Sequence, residues 1–279
     1  MKRNYLPLIP FLLVSLSTGS FLSAQTLSSE KPPARRVDEP TMQKIYDTIK
    51  TPFKYGVILK GEKGKKVDCP SVFRHRDKWY MMYIIFDGSG YETALAESVD
   101  LLEWKPLGKI LRFSQNTWDA NQTAGFIALQ DYTWGGSYTL GTFQEKYWLS
   151  YLGGALKGYE TDPLSIGMAW TEEPFLPVPW QRWKNNPVLS PSDPKARPFE
   201  NKTLYKSHII EDAKRSLGHR FVMFYNAKQQ GKHVEAIGLA VSDDMVRWKR
   251  YGTEPLITAG KGITGDPQIT KIGDVWIMF

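Results

Sequence analysis

The 279 residues are 42% hydrophobic and 13% aromatic, enough apolar chain for one large core or two small ones. The net charge of +7 is scattered, part of it on Lys2, Arg3, Arg35 and Arg36 and in the basic cluster GEKGKK at residues 61–66, which reads as a solvated hairpin tip. No long basic stripe with interleaved aromatics occurs, which argues against nucleic acid as a partner, and the single cysteine, Cys69, excludes an internal disulfide and reads as a small buried residue.

In chain order, the first segment is a basic start, MKRNY, followed by the apolar run LPLIPFLLVSL and the small residues LSAQ. That order is the pattern of a cleaved export signal over residues 1–24, too short and interrupted for a membrane span. It predicts a secreted or periplasmic protein with no membrane span after cleavage. Residues 25–54 are polar and proline-bearing at first and read as a linker and N-terminal arm, with a short helix predicted over 42–50. From residue 55 to 279 the pattern changes to short aromatic-rich apolar runs between turns. WYMMYIIF, YWLSYL, FVMFY and VWIMF are the strongest predicted strands.

The strands repeat. With Pro70 laid on Pro267, Val72 meets Ile269, Arg74 meets Lys271, Asp77 meets Asp274, Trp79 meets Trp276 and Met81 meets Met278. The phrases ALAESVDLLEWKPLGKIL and GLAVSDDMVRWKRYGTEPLI match in the same way. Units therefore run over 68–111, 119–189 and 200–257, and a further one starts at Gly265. Each holds about four predicted strands, and such units around a central channel form a β-propeller. A β-sandwich would not explain the matched phrases. The expected fold is all-β, a five-bladed propeller truncated after about three and a third blades.

In a propeller the inner strands line the channel, so an acid at the start of each unit would converge on one site. The candidates are Asp68 before Pro70, Asp119 in TWDANQTAGF, Glu200 in ENKTLY and Asp266 before Pro267, with Asp131, Glu211 and Glu235 as rivals. Paired carboxylates in an aromatic pocket suit cleavage of a sugar linkage, where one acid gives a proton and another activates water or attacks the sugar. Asp77, Asp100, Asp243 and Asp274 recur at hairpins and read as turn formers. Trp118, Trp134, Tyr138 and Phe199 lie near the acids and either stack on sugar or pack between blades. Lys202 and Lys206 offer positive charge near Glu200, and His208 follows the inner strand of the third unit. No His/Cys/Asp spacing resembles a metal site, and no cofactor is expected.

The phrase Asp-x-Pro-Ser-Val-Phe followed by Asp-Lys-Trp-Tyr-Met-Met-Tyr, with Ser-x-Asp-Leu-x-x-Trp behind it, resembles the five-bladed propeller glycoside hydrolases. The nearest in style are glycoside hydrolase families 43 and 130, with 32 and 117 further off. The family 43 resemblance implies Asp68 as general base, Glu200 as general acid and Asp119 as the residue tuning and orienting them; by their positions in the units, Asp266, Trp118, Lys202 and His208 are the substrate-binding candidates. It implies an exported enzyme that cuts a terminal sugar from a plant or microbial oligo- or polysaccharide. A family 130-like phosphorylase, needing a phosphate pocket, and a propeller that only binds glycans are the alternatives.

Overall fold

The computed structural model describes residues 38–51 and 54–279. The export signal expected over residues 1–24 and half of the linker and arm expected over 25–54 fall outside those residues. Helix α1 (Glu39–Ile49) sits where a helix is predicted, capped by the Asp38 side chain, which accepts from the Thr41 amide at 2.8 Å. None of its residues is buried, and among the described residues no helix is long and apolar enough to cross a membrane. The 61–66 stretch forms an exposed turn leading into β1, not a hairpin tip, because no strand precedes it among the described residues.

From there the chain is β-structure in antiparallel four-stranded blades. The first holds β1 (Lys66–His75), β2 (Lys78–Phe86), β3 (Tyr91–Ser98) and β4 (Lys105–Leu111). The second holds β5 (Gln122–Ile127), β6 (Tyr147–Gly154), β7 (Ser165–Thr171) and β8 (Gln181–Arg182). The third holds β9 (Thr203–Glu211), β10 (Phe221–Lys228), β11 (Glu235–Ser242) and β12 (Lys249–Arg250), with β13 (Ile257–Thr258) also on β11. The hairpin of β14 (Ile269–Ile272) and β15 (Val275–Met278) opens the next.

Alternation of apolar residues on both sheet faces lets each blade stack on the next. Phe73, Met82 and Leu95 of the first blade pack with Leu149 and Tyr151 of the second. Ile166 and Met168 of the second meet Leu204, Phe221 and Met223 of the third, and Val222 and Val241 of the third meet Ile269. Each fully buried side chain of this kind contributes about 1.5–3 kcal/mol. The matched Trp phrases have one local cause. Ser98 and Asp100 cap a turn whose Leu101 is left-handed (φ 68°), and Trp104 Nε1 donates to the Leu101 carbonyl at 2.9 Å. Ser242, Asp244, Met245 (φ 65°) and Trp248 repeat the arrangement at 2.8 Å, so the partner of Asp100 is Asp244.

Candidate active site

The inner strands β1 and β9 carry the same irregularity. Asp68 faces Ile84 and Ser71 faces Met82, so Cys69 and Pro70 together oppose a single residue. In β9, Tyr205 faces Asn226 and His208 faces Phe224, so Lys206 and Ser207 do the same. Cys69 (φ 48°) and Lys206 (φ 44°) are both left-handed, as is Asp266 (φ 55°) just before β14. Such bulges turn side chains out of the pleat toward the axis, and left-handed backbone at non-glycine residues costs of order 1–3 kcal/mol, a strain that concentrates at functional sites.

These residues surround a pocket of about 580 Å³, lined by 68–72 of β1, 126–127 of β5, 206–208 of β9 and 266–270 at β14. The connection between β5 and β6, which includes residues 131–141, lines the pocket through Tyr132, Trp134 and Tyr138 and bridges β1 and β14 as a strap. Arg74 N donates to the Tyr138 carbonyl at 2.9 Å on the first blade's side. On the other side Trp134 N donates to Lys271 O at 2.8 Å, and Lys271 N to Tyr132 O at 2.9 Å. Asp131 stiffens the strap by accepting from Ser137 N (2.8 Å), Ser137 Oγ (2.7 Å) and Thr133 N (3.1 Å), and those bonds hold its carboxyl down at about 2.

The surroundings of Lys206 are rich in paired charge. Lys206 Nζ lies 3.1 Å from Glu160 Oε1 and 3.0 Å from Asp266 Oδ1, and the backbone N–H of Asp266 donates to Asn226 Oδ1 at 2.6 Å. Tyr159 packs edge-on against Phe86 and Tyr91 and donates to Asp68 Oδ2 at 3.3 Å. Further round, Tyr205 donates to Glu235 Oε2 at 2.6 Å, Lys228 lies 3.6 Å from Glu235, and Lys202 lies 2.9 Å from Asp162. Burial raises the Glu160 carboxyl above the usual range, and Lys206 offsets this only in part. Lys206, held by two carboxylates, is pushed upward and stays charged. Burial and the nearby Asp68 push the Cys69 thiol up to about 12, so it is no nucleophile at neutral pH. Among the described residues no three His, Cys, Asp or Glu are placed to hold a metal ion.

Comparison with solved structures decides the family. The chain superposes on one described as a glycoside hydrolase with a TM-score of 0.82 at 40% identity, over 87% of this chain and 73% of that one. It matches a structure described as a BT0996 RGII complex with a TM-score of 0.83 at 41% identity, over the same shares. The chain belongs to the glycoside hydrolases. A GH130-family structure shares the fold alone, with a TM-score of 0.54 at 17% identity over 76% of this chain and 61% of that one. No family model matches the chain, and no curated protein does.

The sequence candidates of this glycoside hydrolase separate into two groups. Asp68, Asp266 and His208 line the pocket. Glu200 and Asp119 do not line it. Glu200 is fully buried at the end of a 3-10 turn (Pro198–Glu200), bonded by Arg197 (2.8 Å), Tyr225 (2.7 Å) and Arg250, and these partners hold its carboxyl down against burial. Asp119 is held low in the same way by Thr117 (2.6 Å), Ser114 (2.7 Å) and Arg182 (2.7 Å), and it also accepts from Tyr151 at 3.0 Å.

Each is a staple built to one plan: an acid ahead of the inner strand, a tyrosine on the second strand and an arginine on the fourth. The tyrosine is seated by a cross-strand glycine. A Cβ at Gly167 or Gly238 would lie 2.5 Å from the ring of Tyr151 or Tyr225. A carboxylate kept ionised by buried arginine is a poor proton donor. The counterpart of Asp68 in the third blade, by bulge register, is Tyr205, five residues beyond Glu200.

Trp118 packs on Tyr151 at 5.6 Å, and Lys202 pairs with Asp162; neither lines the pocket. Glu211 pairs with Arg220 on the surface. Sequence reasoning missed Glu160 and Tyr159, in the phrase GYETDP between β6 and β7. Its one signal is a Tyr-Glu-Thr-Asp run between two strong strands.

Proposed function

We propose that this enzyme removes a terminal sugar from an oligosaccharide of the RGII type, with Glu160 as proton donor and Asp68 as the ionised partner. The observation that carries the assignment is Glu160, a half-buried carboxyl raised by burial, which does not itself line the pocket but pairs at 3.1 Å with Lys206 of the pocket wall and follows Tyr159, whose hydroxyl bonds the exposed Asp68 of that wall at 3.3 Å. A protonated Glu160 gives its proton to the glycosidic oxygen as the bond to the anomeric carbon breaks. Asp68 takes a proton from the water whose oxygen bonds that carbon. As Glu160 becomes a carboxylate, Lys206 at 3.1 Å stabilises the new charge, and Asp266 at 3.0 Å keeps Lys206 in place.

The substrate class follows the 41% identical relative described as an RGII complex. The basic and apolar pattern of residues 1–24 supports export. A phosphate-dependent reaction finds little support, because Lys206 and Lys202 are both engaged by carboxylates.

The test is turnover of an RGII oligosaccharide by the full chain, with and without phosphate. Asp68→Asn and Glu160→Gln should each lower kcat/KM by about 10²–10⁴-fold with unchanged melting. Full turnover by Glu160→Gln would remove the assignment. Sugar binding without turnover, untouched by both substitutions, would leave a propeller that only holds glycans.

A further inference from the structure

The inner half of the pocket, below the carboxylates, has no part in that chemistry. Its polar atoms are mostly engaged within the fold. Gln130 Nε2 donates to the Val72 carbonyl at 2.7 Å, Tyr132 OH to Ile127 O at 3.3 Å, and Tyr138 OH accepts from Gly135 N at 2.7 Å. His208 differs. It is 7% exposed, its ring lies 4.5 Å from that of Tyr132, and the Gln268 side chain interacts with it, yet Nε2 has no hydrogen-bond partner. Six buried side-chain polar atoms among the described residues lack a partner, and His208 Nε2 is the one belonging to a residue of the pocket wall.

A buried imidazole nitrogen left unpaired is costly, and a pocket wall is where a ligand can satisfy it. Burial pushes the ring down to about 3, so it meets a ligand as a neutral donor or acceptor and not as a cation. The nearest lysine of the wall, Lys206, is already held by two carboxylates. A sugar hydroxyl, which both donates and accepts, fits a neutral imidazole in either tautomer.

We propose that His208 is a specificity-determining residue whose Nε2 hydrogen bonds one hydroxyl of the sugar ring held in the pocket. The proposal rests on the reading of the pocket as the sugar site. The probes are the monosaccharides released by acid hydrolysis of an RGII oligosaccharide, added one at a time to the full chain, followed by monodeoxy analogues of the one that binds. The readouts are calorimetric affinity and the imidazole ¹⁵N resonances, which the chain's four histidines make assignable by substitution.

One sugar should shift the His208 Nε2 resonance, and removal of one particular hydroxyl should abolish the shift and weaken binding about tenfold or more. His208→Phe should weaken the parent sugar by a similar factor and no longer tell it from the deoxy analogue, while His208→Gln should recover part of the difference. Should His208→Phe fail to fold, the resonance and the deoxy series on the unsubstituted chain still decide. Binding that leaves the His208 resonance unmoved, equal affinity in His208→Phe, or no binding of any probe overturns the proposal. Turnover lost in Glu160→Gln with His208 unmoved would reject this subsite and keep the hydrolase; a shifted His208 without turnover would do the reverse.

Discussion

Glu200 separates a structural acid from a catalytic one by a single substitution. In Glu200→Gln the shape is kept and the charge is lost. The carboxylate is fully buried and faces Arg197 and Arg250, of which Arg197 is 9% and Arg250 11% exposed at the side chain. Removing it leaves the nearly buried Arg197 without its anion and Arg250 with Asp193 alone at 2.9 Å, and breaking a buried pair in this way costs about 3–5 kcal/mol. At about 2–4 °C per kcal/mol for a domain of this size, melting should fall by roughly 10 °C. Turnover per folded molecule, measured well below melting, should stay within about tenfold, whereas loss of a proton donor costs about 10²–10⁴-fold. The assay is scanning calorimetry beside initial rates on the full chain. Adding Arg197→Met should recover part of the lost stability, because the guanidinium left without an anion goes with it. An unshifted melting temperature together with a hundredfold loss of kcat would refute the reasoning and return Glu200 to the chemistry.

Three other outcomes follow from the same contacts. Gly238→Ala should destabilise by about 1–3 kcal/mol, since its Cβ would meet the buried Tyr225 ring at 2.5 Å; an unchanged urea midpoint would contradict the close approach. Stability should fall with acid. The depressed carboxyls of Asp119 and Glu200 contribute above the ordinary carboxylate range and lose that contribution as pH drops through their folded values. His208, lowered from 6.5 to about 3, adds a loss that begins below pH 6.5, where the unfolded chain takes up the proton first; a urea midpoint flat from pH 7 to 4 would count against the His208 loss, and one that stays flat on further acidification would count against the carboxyls. The raised Glu160 carboxyl should set the alkaline limb of kcat/KM above its ordinary 4.5, and the limb should vanish in the residual activity of Glu160→Gln.

The blades could be read from sequence because their local physics is written twice. A serine-acid turn with a left-handed residue and a tryptophan closing on it takes nearly the same residues at Ser98–Trp104 as at Ser242–Trp248, so the phrase betrays the unit. The same logic singled out Glu200 and Asp119, which the structure places outside the pocket. An acid ahead of the inner strand does recur, but in the second and third blades it recurs as part of a Tyr–Arg staple that pins the second and fourth strands. Glu160 was out of reach for the opposite reason. Its environment comes from Lys206 on another blade and from a connection that resembles nothing else in the chain.

The division between the two kinds of residue follows from how a propeller is built. A contact needed in every blade must be made by residues every blade can supply, so it appears as a repeat and sits within or between sheets. A site on the axis receives one contribution from each blade, and identical contributions would only crowd like charges together. At this left-handed position the first blade places Asp68 and Cys69, the third Tyr205 and Lys206, both at a bulge, and the next Gly265 and Asp266 just ahead of β14. The backbone deviation is shared, while the side chains it presents are acid, phenol, amine and acid. Lys206 can hold Glu160 and Asp266 only because its neighbours did not also become lysine. In this protein, therefore, the chemistry is to be sought where matched positions carry unlike residues, and the stability where they carry the same ones.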